Sequence, residues 1–177
     1  MNFKDSQKDM RVAYLGGGTG VIVSSIVWLI SGIVAIYFTE EISIMTFFLG
    51  GIIIYPLGIA SVKFFKRTGK HLENNALAFL AFESTAILFI GLFIAYSIFQ
   101  VEKHWFFPVM LMVIGARYLI FQSIYGMKIY WILGLLLVVS GMLSLISNQP
   151  FHIGAIIGGI LEIVFGVLII QLVRNQI

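Results

Sequence analysis

Apolar residues along this chain come in long blocks, and polar residues collect in the short gaps between them. Stretches without Asp, Glu, Lys or Arg cover 12–39, 42–62, 74–82, 84–101, 104–116, 118–127 and 129–161. About 20 apolar residues carry a helix across roughly 30 Å of hydrocarbon. The pattern predicts six spanning helices, near 17–38, 43–65, 76–98, 105–125, 128–146 and 151–173. The gaps carry turn and breaker residues: Glu40 and Glu41, the run 66–70, Glu102 with Lys103, Gly126, and Ser147-Asn148-Gln149-Pro150. Pro108 falls in the first turn of the fourth helix, where its missing N–H costs little. These connections leave no room for a folded soluble domain. The expected fold is an all-α polytopic transmembrane bundle, one domain over 1–177.

Composition agrees with this pattern. Of 177 residues, 60% are hydrophobic and 11% are charged, and the mean hydropathy is +1.03. Soluble domains carry about 25% charged residues, so most of this surface has to face lipid. The chain has no cysteine, which excludes disulfides and thiolate chemistry. Its pI near 9.2 does not indicate nucleic acid, because the basic residues group by topology. With the N-terminus inside, Lys4, Lys8, Arg11, Lys63, Lys66, Arg67, Lys70, Lys128 and Arg174 are cytoplasmic and only Lys103 is external. That asymmetry predicts both termini in the cytoplasm. Tyr37, Tyr96 and Trp105 would mark the outer interface, and Tyr14, Tyr125, Tyr130 and Trp131 the inner one. Lys4, Lys8 and Arg11 precede the first block as in a signal peptide. The block is too long for one and no small-residue cleavage site follows, so a retained helix is expected. Three helices per half would suit an inverted repeat, with Glu83 and Glu162 in corresponding places.

Three ionisable side chains fall well inside the predicted spans: Glu83, Arg117 and Glu162. Each costs roughly 2.5–3.5 kcal/mol at the centre of an inserted helix, so each must face protein or water. At 1.5 Å per residue, Glu83 lies about 10 Å from the inner boundary, Arg117 about 12 Å and Glu162 about 16 Å. Side chains lean toward a helix N-terminus. The fourth helix runs inward, so Arg117 should lean away from cytoplasmic water and need a carboxylate partner. Glu83 is closer in depth and is the favoured partner; Glu162 lies in the direction of the lean and is the alternative. Gly154, Gly158, Glu162 and Gly166 recur every four residues, which places Glu162 on a close-packed helix face. Burial there could equally keep it as the uncharged acid. Tyr55, Ser84, Thr85, Tyr118 and Gln122 are polar at similar depths, and Pro56 should kink the second helix and free a carbonyl near Tyr55. Gly115 and Arg117 on opposite faces of the fourth helix would put that helix near the bundle centre.

Other motifs carry less. Gly16-Gly17-Gly18-Thr19-Gly20 resembles a phosphate loop but lacks a preceding strand and a closing Lys-Ser/Thr, so a close-packed or flexible start to the first helix is expected. His104 and His152 have no ligand spacing with the outer carboxylates, and neither a metal nor a cofactor is expected. No serine, histidine and acid share a depth for nucleophilic catalysis.

The segment Gly115-Ala116-Arg117-Tyr118-Leu119, then Phe121 and Tyr125-Gly126-Met127, resembles a family of uncharacterised small multi-pass bacterial membrane proteins. Tyr55-Pro56 with Gly58, and the isolated Glu83, fit the same pattern. The resemblance implies a six-helix fold, a bacterial cytoplasmic membrane and no established activity. The family pattern more often has His at position 117 and Pro at 120; the fixed charge of Arg117 speaks against proton relay through that residue. The expected function is transport or binding of a small molecule or ion at a polar site of Glu83, Arg117, Glu162, Tyr55, Tyr118 and Gln122. The alternatives are a structural or accessory subunit, packed on a membrane partner or a second copy, whose buried ion pair only fixes helix packing, and a membrane enzyme acting on lipid.

Overall fold

The structure is a computed structural model and describes residues 1–175. Among these residues the chain is all helical. In order it forms α1 (Phe3–Ala13), α2 (Gly18–Tyr37), α3 (Glu40–Phe64), α4 (Leu77–Phe99), α5 (Phe106–Tyr125), α6 (Ile129–Ile146) and α7 (Phe151–Arg174). Short 3-10 turns, Leu15–Gly17 and Lys103–Trp105, lead into α2 and α5. Six helices are long and apolar enough to cross a membrane, which is the make-up of an integral membrane protein.

The predicted boundaries hold within a few residues. The largest shift is at α3, which starts at Glu40 because Thr39 caps it by accepting from Ile42 N. α1 was not expected, since its basic residues read as a flank. Its signals are Asn2, which accepts from Asp5 N at 2.9 Å as an N-cap, and Ser6, Met10 and Ala13, all buried on one face. Lys4, Lys8 and Arg11 occupy the opposite face of that helix.

In hydrocarbon, helices are held by close backbone approach and polar contacts more than by apolar burial. Two seams show this. Between α5 and α6, a Cβ on Gly115 would lie 2.7 Å from Gly134 O, and one on Gly134 would lie 2.7 Å from Gly115 O. Between α2 and α7, Gly18 and Gly166 face each other's carbonyls at 3.1 and 3.3 Å in the same sense. The glycine stripe of α7 therefore packs as expected: Gly154 on Phe107, Gly158 on Trp28 and Leu111, Gly166 on Ile22. The 16–20 run is a close-packed turn, with Leu15, Gly16 and Gly17 all at positive φ and Gly17 under Tyr125 and Tyr130.

α2 pairs with α3 and α7, while α5 pairs with α4 and α6. These pairings map onto one another when α2, α3 and α4 are exchanged for α5, α6 and α7. The halves differ at two seams: α7 packs on both α6 and α5, whereas α4 scarcely touches α3 or α2. At the far end from the termini the gap between α3 and α4 is closed. Phe47 meets Phe106 and Phe107, and Lys103 Nζ lies 2.7 Å from Glu41 and 3.7 Å from Glu40. At the termini end α1 and residues 65–76 close it. Asp9 accepts from Leu72 N and Asn75 Nδ2, Gly69 N donates to Ala13 O, and Gln7 Nε2 donates to Ser123 O.

One expectation changes. Tyr125 and Tyr130 are buried in the core and do not belong to an interfacial belt. They stack with each other at 5.6 Å, and Tyr130 donates to Gly16 O at 2.6 Å, so the turn before α2 captures them. Pro56 stands at an exposed position of the unbroken α3.

The glycine seams predict opposite outcomes for two substitutions. Gly134→Leu would push Cβ into the Gly115 carbonyl and should lower stability by about 1–3 kcal/mol, seen as a fall in melting temperature of the purified protein. Gly51→Ala should raise stability by about 0.4–1 kcal/mol, because no heavy atom lies within 4 Å of that Cβ position and alanine has less backbone freedom to lose.

Candidate functional site

Glu162 lies on α7 about 18 Å from the helix end at Arg174, given 1.5 Å per residue, and it is 0% exposed. Its Oε1 accepts from the Tyr118 hydroxyl of α5 at 2.7 Å. Ser24 and Trp28, one turn apart on α2, flank the same carboxyl. Oε2 of Glu162 and Nε1 of Trp28 are both buried without a protein partner. Three helices thus meet at one carboxyl group, with an acceptor and a donor left over. Below it Tyr118 stacks on Tyr130 at 5.7 Å, continuing the column to Tyr125.

Arg117 is half-buried on the next face of α5. Its Nη2 donates to Thr85 Oγ1 of α4 at 3.3 Å, its Cζ lies 4.9 Å from the Phe121 ring centre, and Nε has no partner. The expected ion pair is absent: no carboxylate comes within 4.0 Å of Arg117 among the described residues. The reason is azimuth. Ser84 is the buried residue of α4 at this level, so Glu83 and Thr85 flank it about 100° to either side. Thr85 meets Arg117, and Glu83 is exposed on the opposite flank. The lean of Arg117 also differs from expectation. The guanidinium turns over Phe121, one turn nearer the termini end, because the aromatic face and Thr85 offer contacts there.

Of the six residues expected at the site, Glu162 and Tyr118 are in contact and Arg117 lies on the adjoining face. Tyr55 is 72% exposed on α3. Gln122 is half-buried, and its side chain accepts from Ser123 Oγ at 3.5 Å. Glu83 joins none of them. Ser24 and Trp28 were missed; their spacing of four on an apolar helix was the available signal. At the termini end the Tyr14 hydroxyl lies 2.7 Å from His71 Nδ1, and burial holds that hydroxyl above the ordinary tyrosine range. No group of three His, Cys, Asp or Glu residues able to hold a metal occurs among the described residues.

Residues 3–172 match the model of a family of unknown function, DUF7010. The chain belongs to the DUF7010 family. No curated protein and no solved structure matches it. The match covers nearly the whole bundle of this DUF7010 protein, from α1 into α7, so α1 and the Glu162 cluster both lie within the family's domain.

Tyr118→Phe removes the hydroxyl that serves Glu162 and leaves a buried acceptor unpaired. It should lower unfolding stability by about 1–3 kcal/mol, measured by denaturant titration followed by circular dichroism.

Proposed function

We propose that this protein is a carrier or binder of a small ionisable ligand in a bacterial cytoplasmic membrane, with both termini cytoplasmic. Its working group is Glu162, which holds an exchangeable proton. The observation that supports this is a carboxyl at mid-span, fully buried, with one oxygen bonded to Tyr118 and the other turned toward Ser24 and the Trp28 N–H without a closed hydrogen bond. A purely structural acid would be expected to satisfy both oxygens, since an unmet buried polar group costs about 1–3 kcal/mol. The helix pairing adds support. The packed α6–α7 seam and the open α3–α4 gap occupy corresponding places in the two halves, and carriers built from inverted repeats exchange such arrangements. The distribution of Lys and Arg supports the orientation.

The test is proton movement in proteoliposomes containing a trapped pH-sensitive dye. Wild-type protein should acidify the lumen after an external acid pulse, and Glu162→Gln should reduce the rate at least tenfold. The glutamine keeps an oxygen for Tyr118, so folding should persist. Equal rates in the two proteins would refute the reading.

The accessory-subunit reading rests on Glu83, which is exposed on an apolar flank of α4 beside Phe79, Ile87 and Ile90. In that case a membrane partner should co-purify with the wild type and be lost from Glu83→Leu. Purification without any partner rejects it.

A further inference from the structure

The Arg117 guanidinium has no carboxylate within 4.0 Å among the described residues. Its direction follows from its neighbours on α5. Gly115 faces α6, Val113 meets Gly91 of α4, and Tyr118 reaches α7. At 100° per residue the sector left, between α4 and α7, carries Arg117 and Phe121. That sector looks toward α2 and α3, across the seam where α3 and α4 scarcely touch.

The α3 side of this seam is open only in its middle. Ile44, Gly51, Tyr55 and Val62 follow one strip of the helix at spacings of seven, four and seven. Ile44 and Val62 are buried, whereas Gly51 meets no heavy atom within 4 Å and Tyr55 is exposed. The aromatic cluster closes one end of the gap and α1 with residues 65–76 closes the other. A ligand bound there would therefore come sideways, from the bilayer.

We propose that the gap between α3 and α4 admits a long-chain carboxylate from the bilayer and that Arg117 binds its head group. The inference deepens the proposed ligand site by naming a substrate class, and rests on reading that interior as a binding site. The chemistry selects the class. A guanidinium matches a carboxylate through two parallel N–H bonds, and its Nε is unpartnered. Arg117 lies about 12 Å inside the helix end at Tyr125, given 1.5 Å per residue. A bare carboxylate can be drawn to that depth when a cation meets it. A glycerophosphate head group is larger and strongly hydrated, and belongs at the interface. The acyl chain would lie along the exposed apolar residues of α3, among them Ile52 and Phe48.

The test is photolabelling in phosphatidylcholine nanodiscs with a palmitate carrying a diazirine on its chain. Labelling should saturate, map to α3 and α4, and be displaced by oleate but not by oleyl alcohol. Arg117→Met should reduce it at least tenfold. Gly51→Phe, whose Cβ position has no heavy atom within 4 Å, should reduce it similarly, and Arg117→Lys, which keeps the charge but loses the paired N–H fork, should fall between wild type and Arg117→Met. Unchanged labelling in Arg117→Met, equal displacement by the alcohol, or adducts spread evenly over all lipid-facing helices overturns the inference. Should Arg117→Met fail to fold, Gly51→Phe and the oleate–alcohol comparison decide it. The two proposals separate cleanly. Glu162→Gln should retain labelling while losing proton movement. Arg117-dependent labelling in a protein that moves no protons would leave this inference standing and remove the other.

Discussion

Inside a bilayer a leucine is as well solvated by lipid as by another leucine, so six apolar helices need some other reason to stay together. Here that reason is the near contact of backbones at glycine pairs, Gly115 with Gly134 and Gly18 with Gly166. Once those pairs meet, the rotation of α5 against α6 and of α2 against α7 is fixed. Trp28, Tyr118 and Glu162 are then turned toward one another. The polar cluster is a consequence of the glycine seams, and it also reinforces them, because Tyr118 and Glu162 tie α5 to α7 directly.

The ends of the bundle are sealed by different chemistry. At the far end the seal is aromatic, running from Trp28 through Phe47 and Phe107 to Phe151, with Lys103 clamped by Glu40 and Glu41 at the surface. At the termini end it is a hydrogen-bonded latch in which Asp9 and Asn75 join α1 to residues 65–76. Between these seals the interior is polar at Glu162 and charged at Arg117, and Gly51 on α3 has no heavy atom within 4 Å of its Cβ position.

The missing Arg117–Glu83 pair shows what limits reasoning from depth. Position along a helix converts to depth at 1.5 Å per residue, and on that measure Glu83, Thr85 and Arg117 are neighbours. Rotation about the axis turns by 100° for each residue, so a shift of two positions carries a side chain to the other flank. Glu162 was placed correctly because its stripe of glycines gave an azimuth as well as a depth. Glu83 had no such companion pattern.

By itself the sequence determined that six helices span, where each begins and ends to within a few residues, and that Glu162 belongs on a packed face. Those properties follow from runs of apolar residues and from periodic small ones, which are local. Only the tertiary structure decided that Arg117 meets Thr85 and Phe121, that Tyr125 and Tyr130 are core, that α1 caps the bundle, and that α3 and α4 scarcely touch. Each of these depends on how one helix is rotated against another. In uniformly apolar helices a few glycines and polar side chains set that rotation, and their partners lie far away in the chain.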